Sequence, residues 1–254
     1  SAVARDLAKD GNFVGTTIFS FFVGAMMFST TALLPSFMQT LLGYSATQAG
    51  LASVTRGVGS LVSFLLVPTV MARLGPRTSL TTGLVLSILG IWMMGGFTLD
   101  MTSQPILVSG FVQGLGTGLL FAPLSTLAYV TLHPSHRVEG TIVATMARSL
   151  GSSVGISIVL ASVLRNSAAG HSELAGRIDP SSPMLRDLLP SLMDPRTEAG
   201  LRMLNGEVTR QAGMLGYVNV FMWMALFLCA IVPAVILLKP HRPPPSDTLE
   251  IHAE

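Results

Sequence analysis

Charge is what this sequence has least of: only 11% of its 254 residues are Asp, Glu, Lys or Arg, while half are apolar. A water-soluble domain of this length carries about a quarter charged residues, so the solvent for most of the chain is a lipid bilayer. Cysteine is nearly absent too. Cys229 is the single one and lies inside an apolar run, which excludes an intrachain disulfide and a thiolate metal site. The formal net charge of +2 comes from arginines scattered in ones and twos, not from a basic patch, so no nucleic-acid partner is expected. His133, His136, His171, His241 and His252 all fall in expected loops or tails, leaving an intramembrane serine without a base. No acid or histidine pair stands at metal-ligand spacing within an apolar run. The chain is thus expected to be no enzyme, with no catalytic residue, metal or cofactor. It opens Ser1-Ala2-Val3-Ala4-Arg5-Asp6, without an initiator methionine, and is expected to be part of something longer.

What is present is a series of six apolar stretches, near residues 13–42, 47–72, 78–98, 105–132, 140–164 and 216–238. Each reaches the ~20 residues that cross a bilayer, and backbone amides in hydrocarbon must pair within their own segment, so each predicts a helix. Gly43 closes the first. Ser45 and Gln48 have the form of a capping box opening the second. Gly75-Pro76 separates the second from the third, and Ser103 with Pro105 suits the start of the fourth. Arg5, Lys9, Arg73, Arg77, Arg137, Lys239 and Arg242 all fall on one side of such an arrangement, whereas the short turns at 43–46 and 98–104 hold no basic residue. Both termini are therefore expected in the cytoplasm of a multi-pass inner-membrane protein. Tyr44, Trp92 and Tyr217 stand near the outer ends, as an interfacial aromatic belt requires.

The expected organisation is five spans with short loops over 1–165, a long extracytoplasmic loop over 166–215, the last span over 216–239 and a cytoplasmic tail over 240–254. The loop holds Pro180, Pro183, Pro190 and Pro195 and charges of both signs. Within it Leu201, Leu204, Val208, Ala212 and Leu215 make a helical stripe, to be read either as an amphipathic helix at the outer surface that leads into the last span or as part of a solvated loop.

Two ionisable residues lie deep inside the runs. Arg56 and Arg148 are eight to ten residues from their helix starts, near mid-bilayer at 1.5 Å per residue. A guanidinium facing acyl chains there costs several kcal/mol, so both should point at protein or water. They either take part in a transport pathway or domain interface, together with Gln113, or brace neighbouring helices through backbone carbonyls. Their contexts repeat: Arg56-Gly57-Val58-Gly59-Ser60 matches Arg148-Ser149-Leu150-Gly151-Ser152 in arginine, glycine and serine. Such a match is expected of two three-helix units related by an axis in the membrane plane. The fourth run places Gly110, Gly114 and Gly118 on one face, which lets backbones approach closely. Pro35, Pro68 and Pro123 permit bending, and Met26, Met27, Met93 and Met94 offer either core filling or a soft wall for apolar ligands.

Several segments resemble the last six helices of the fourteen-helix drug-proton antiporters of EmrB/QacA type, a branch of the major facilitator superfamily. They are Tyr44-Ser45-Ala46-Thr47-Gln48-Ala49-Gly50-Leu51, Gly114 to Pro123, Arg148-Ser149-Leu150-Gly151, and Gln211-Ala212 leading to Tyr217 and Phe221. The resemblance covers nearly the whole chain. It implies an all-helical membrane fold of six helices as two inverted triplets, one half of a major facilitator fold. As function it implies the C-terminal half of a proton-driven multidrug or amphiphile exporter working by alternating access. A missing N-terminal helix bundle, a small amphiphilic substrate, the bilayer and a periplasmic adaptor protein are the implied partners. Arg73, Gly75 and Arg77 resemble the family's cytoplasmic loop latch, although Ala72 stands where its acid would be; a purely topogenic positive loop is the other reading. Asn219 likewise replaces an aspartate that relatives often carry, and an amide accepts no coupling proton. The alternative to a transporter is a non-transporting membrane fragment or subunit that packs against another bundle.

Overall fold

A computed structural model describes residues 11–129, 137–177 and 197–237. It contains five helical elements: α1 (Gly11–Thr40), α2 (Ala46–Met94), α3 (Ser103–Tyr129), α4 (Arg137–Arg177) and α5 (Glu198–Leu237). No strand occurs among the described residues. All five are long and apolar enough to cross a membrane.

Where six separate helices were expected, the second and third apolar runs share the 49-residue α2. The reason is how little backbone the break consumes. Gly75 alone leaves the helical region, at φ 80° and ψ 162°, a conformation essentially reserved for glycine. Pro76 follows, and its fixed φ suits the first turn of a resumed helix. The two arms, 46–74 and 76–94, run in opposite senses along α3. On the first arm Gly59 meets Phe111 and Leu115 while Ser63 meets Gly118; on the second, Gly83 meets Gly116 and Leu119 while Gly90 meets Gln113. The chain therefore reverses at Gly75.

At the opposite end of the bundle the turns are built as their residues predict. Gly43 takes φ 69°. Ser45 then caps α2 reciprocally: its amide donates to Gln48 Oε1 at 2.9 Å and the Gln48 amide donates to Ser45 Oγ at 3.2 Å. Beneath this end Phe37 packs on Phe97 (5.6 Å between ring centres) and on Tyr217 (5.5 Å). Phe37 and Phe221 are fully buried, so this aromatic cluster locks α1 and α5 to the end of α2. Toward the other end the Asn12 amide donates to the Leu127 carbonyl at 2.9 Å, tying α1 to α3.

The stretch 166–215, expected as a loop, is helical over its described residues apart from Thr197. The two helices continue as a pair beyond the apolar runs because small residues let them touch: a Cβ on Gly170 would lie 3.6 Å from Ala212, in ordinary contact. His171 also hydrogen bonds Asn205 at 3.0 Å. The leucine stripe is helical and runs without a break into the last apolar run as part of α5. Val208 and Ala212 are buried, while Leu201 and Leu215 are each 47% exposed. Residues 178–196, with the loop prolines, lie outside the described residues.

Candidate functional site

Arg56 and Arg148 sit at two helix crossings of the same construction. On α3, a Cβ at Gly114 would collide with the Arg56 carbonyl, and one at Gly59 of α2 would collide with the Phe111 carbonyl. On α1, a Cβ at Gly24 would lie 2.7 Å from the Arg148 carbonyl oxygen, and one at Gly151 of α4 would collide with the Phe21 carbonyl. Each crossing thus pairs Phe-x-x-Gly on one helix with Arg-x-x-Gly on the other, backbone against backbone. Only glycine permits an approach this close, and the gain is dispersion contact along both main chains.

The glycine face of α3 is used along its length. Gly110 lies against Thr55 and Arg56, Gly114 against Arg56, and Gly118 against Ser60 and Ser63. Hydroxyls on the first arm of α2 add hydrogen bonds here: Ser60 Oγ donates to the Gly114 carbonyl at 3.1 Å, and Ser63 Oγ to the Leu115 carbonyl at 2.5 Å. A second small-residue face, which the sequence reading missed, packs α3 on the other arm, with Gly116 against Gly83 and Ser87. The spacing Ser79, Gly83, Ser87 with Gly90 was the available signal.

The Arg56 side chain lines a small cavity beside its crossing. It measures about 60 Å³ and is lined by Met27, Phe28, Thr31, Arg56, Ser60, Gln113, Thr117 and Phe121. Arg56 Nη1 is buried there without a hydrogen-bond partner, and so is Gln113 Oε1. Arg148, from α4, places its guanidinium carbon 5.0 Å from the centre of the ring of Phe121, one of the cavity's lining residues. Phe121 therefore joins the two arginines; nothing in the sequence marked it. Neither arginine forms an ion pair among the described residues. A buried guanidinium N–H and a buried amide oxygen, both unsatisfied and a cavity apart, suit a polar group that bridges them.

Gly75 forms the break in α2, with Arg73 exposed and Arg77 half-buried on either side of it. No acid stands between positions 46 and 94, so a charge-to-charge latch within this element has no carboxylate. Carboxylates among the described residues lie near helix ends, in turns or in the extended parts of α4 and α5, at Asp100, Glu139, Glu173, Glu198 and Glu207. No group of three or more His, Cys, Asp or Glu that could hold a metal occurs among the described residues. The arrangement offers cation, amide, hydroxyl and ring contacts, which bind and orient but supply no nucleophile or base.

Comparison with known proteins agrees with this membrane architecture. The model of the Major Facilitator Superfamily matches residues 16–167, more than half of the chain. The fatty acid resistance protein FarB of Neisseria gonorrhoeae is 27% identical over 242 residues, which is 94% of this chain and 47% of FarB. The probable multidrug resistance protein EmrY of Escherichia coli is 26% identical over 89% of this chain and 44% of its own length. A multidrug resistance protein B homolog of Mycobacterium tuberculosis is 30% identical over 153 residues, 58% of this chain and 27% of that protein. The chain thus spans less than half the length of these relatives. Members of the matched family are transporters and not enzymes. Long apolar helices, the family match and likeness to EmrB-type multidrug exporters agree: this chain belongs to the Major Facilitator Superfamily, as a multi-pass membrane protein.

Proposed function

We propose that the chain forms the C-terminal half of a proton-driven exporter of amphiphilic compounds, working by alternating access across the inner membrane. The observation that carries this reading is the pair of arginines without an ion-pair partner among the described residues, Arg56 at a cavity that Phe121 also lines and Arg148 over the Phe121 ring, on helices whose apolar faces are largely uncovered. A guanidinium within the bilayer needs protein or water before it. An N-terminal helix bundle of the same transporter supplies that cover and, between the two bundles, the pathway. The relatives' names, multidrug and fatty acid resistance, supply the substrate class.

In this reading the chain crosses the membrane six times, the two arms of α2 counting separately, as two inverted triplets. The matched crossings support the inversion: the middle helix of each triplet carries Arg-x-x-Gly and lies on Phe-x-x-Gly of the other triplet's first helix. Both termini are cytoplasmic, and the extended ends of α4 and α5 project outward, where a periplasmic adaptor could meet them. Arg73, Gly75 and Arg77 then lie at the cytoplasmic turn. With no carboxylate inside the described spans, the coupling protons are carried by acids elsewhere in the full-length protein.

The test is export of dyes and antibiotics by the full-length gene, with and without a pH gradient. Arg56→Lys keeps the charge but loses the planar fork, and Arg148→Ala removes the contact with Phe121. Each is expected to lower export about tenfold or more, the scale of one lost charge-assisted hydrogen bond, while expression holds. Export unchanged with lysine at position 56, or parallel loss of export and expression in both variants, would assign the arginines to helix bracing alone. A full-length gene that moves no compound would leave a packing subunit as the function.

A further inference from the structure

A second cavity adjoins the Arg148 crossing, whose Phe21 is among its lining residues. α1, α4 and α5 enclose a groove of about 650 Å³ that shares no lining residue with the Arg56 cavity. Its walls are aromatic and aliphatic: Phe22 and Phe227 stand 5.5 Å apart, and Trp223 is 69% exposed beside them. Its floor is closed where Gly155 meets Ala25. Its polar side chains, Ser162, Arg165 and Asn166, gather at one end. Arg165 is exposed, and neither it nor Asn166 has a side-chain partner among the described residues.

The depth of that polar end follows from its neighbours. Val163 and Ser167 flank Gly216, and Gly213 lies against Leu41, the last turn before the Gly43 reversal. Arg165 thus stands where the apolar part of the bundle ends and the polar extension of α4 begins. The groove runs inward from there to Val154, level with the middle of α1. The twelve residue steps from Asn166 to Val154 rise about 18 Å, close to the ~15 Å of a single leaflet's hydrocarbon.

We propose that this groove is a binding site for an anionic phospholipid of the leaflet at the Arg165 end. One acyl chain lies between Phe22, Trp223 and Phe227, and the headgroup phosphate is held by the Arg165 guanidinium and the Asn166 amide. The length selects an amphiphile of one-leaflet depth. The cation selects a negative headgroup over a zwitterionic one, because guanidinium donors match phosphate oxygens two at a time and no carboxylate pairs with Arg165 among the described residues. Trp223, which would otherwise project from the helix surface, becomes a wall of the site.

Native mass spectrometry of the full-length protein, released from nanodiscs of mixed phosphatidylglycerol and phosphatidylcholine, reads the site without any transport step. The wild type is expected to retain phosphatidylglycerol over phosphatidylcholine by about fivefold, the factor one basic residue contributes near a charged bilayer. Arg165→Gln should bring the two lipids to parity, and Arg165→Lys should keep most of the preference. Ser162→Trp fills the groove and should remove the retained lipid of either kind; should that variant not fold, Ile158→Trp at the same wall, where Ile158 is 60% exposed, serves instead. Parity in the wild type, an unchanged preference in Arg165→Gln, or displacement of phosphatidylglycerol by added palmitate would each overturn the proposal. The last would make a free fatty carboxylate the occupant. Because no export is measured, an inactive transporter leaves this outcome readable.

Discussion

α1 and α3 differ from α2 and α4 in one respect that their composition hides. The most apolar stretches of all four have nearly the same mean hydropathy. Yet about half of those stretches are buried in α1 and α3, against about a fifth in α2 and α4, and within α2 it is the first arm, the one carrying Arg56, that is less covered, since Leu80, Leu84, Ile91 and Met94 of the second arm are buried. Hydropathy reports only which solvent a helix tolerates, because lipid and protein interior are about equally apolar. What decides burial here is how many helices surround each: α3 lies against both arms of α2, and α1 meets α4 at Gly24, α5 at Tyr217 and α3 at Leu127. The less covered helices are also the ones that carry a guanidinium at mid-span. Lipid can cover Leu61 or Val138 without cost, but not Arg56 or Arg148.

The sharpest way to break this comparison is to add the same side chain to a covered glycine and to an open one. Gly114→Val drives a branched side chain into the Arg56 carbonyl, against main chain that cannot move aside. Overpacking of this kind costs about 3 kcal/mol or more where backbones must separate. The variant is expected to lose its monodisperse peak on size exclusion. Gly57→Val, one residue from Arg56, meets no atom within 4 Å and should leave thermal stability unchanged or slightly raised, since valine is the better helix former. If another bundle covers that face, Gly57→Val should nonetheless impair export. Normal export would mean the face looks onto lipid.

Next in size is the break between the arms of α2. Alanine at position 75 must either adopt φ 80°, ψ 162° or convert the reversal into continuous helix. The first costs about 1–3 kcal/mol. The second would detach one arm from α3, losing either the Gly59 and Gly118 contacts or those of Gly83, Gly90 and Gly116. A lowered melting temperature in detergent is therefore expected for Gly75→Ala, with the Arg73→Ala control, at an exposed side chain, staying near the wild type. Equal stability of both would show that the reversal does not depend on glycine.

Much of this was legible in the residues because bilayer physics leaves few choices. Long apolar runs must be helices, a Ser-x-x-Gln before such a run must cap it, and glycines four apart must mark a close crossing. The crossing partners were not legible, since Phe21 and Phe111 offer a carbonyl that any residue could offer, and only the fold shows which carbonyl meets which glycine. Phe121 escaped for the same reason. The helical extension of α4 was read as loop because its charged residues carry no hydropathy signal, whereas that of α5 was legible in its apolar stripe; the pairing of the two depends on packing at Gly170 and Ala212. A single glycine as the whole turn between two spans was likewise invisible: the sequence marks Gly75-Pro76 as a break but not that one residue suffices for it.

The smallest effect is expected in the covered region itself, at the hydroxyl of Tyr217. It lies 3.0 Å from Ser36 Oγ, a polar link between α5 and α1 beside the Phe37 ring. Interhelical hydrogen bonds within membranes contribute about 0.6 kcal/mol on average, because the separated helices find other partners. Tyr217→Phe keeps the ring packing on Phe37 and Phe221 and should lower the melting temperature only slightly. Phe221 is fully buried between Phe37 and Phe97, so most of the adhesion at this end comes from ring area. A loss of more than about 2 kcal/mol in Tyr217→Phe would exceed the largest such bonds and make the hydroxyl, not the rings, the fastening of α5. The covered half of the bundle would then depend on polar links as the arginine face does, and the contrast between the two regions would narrow.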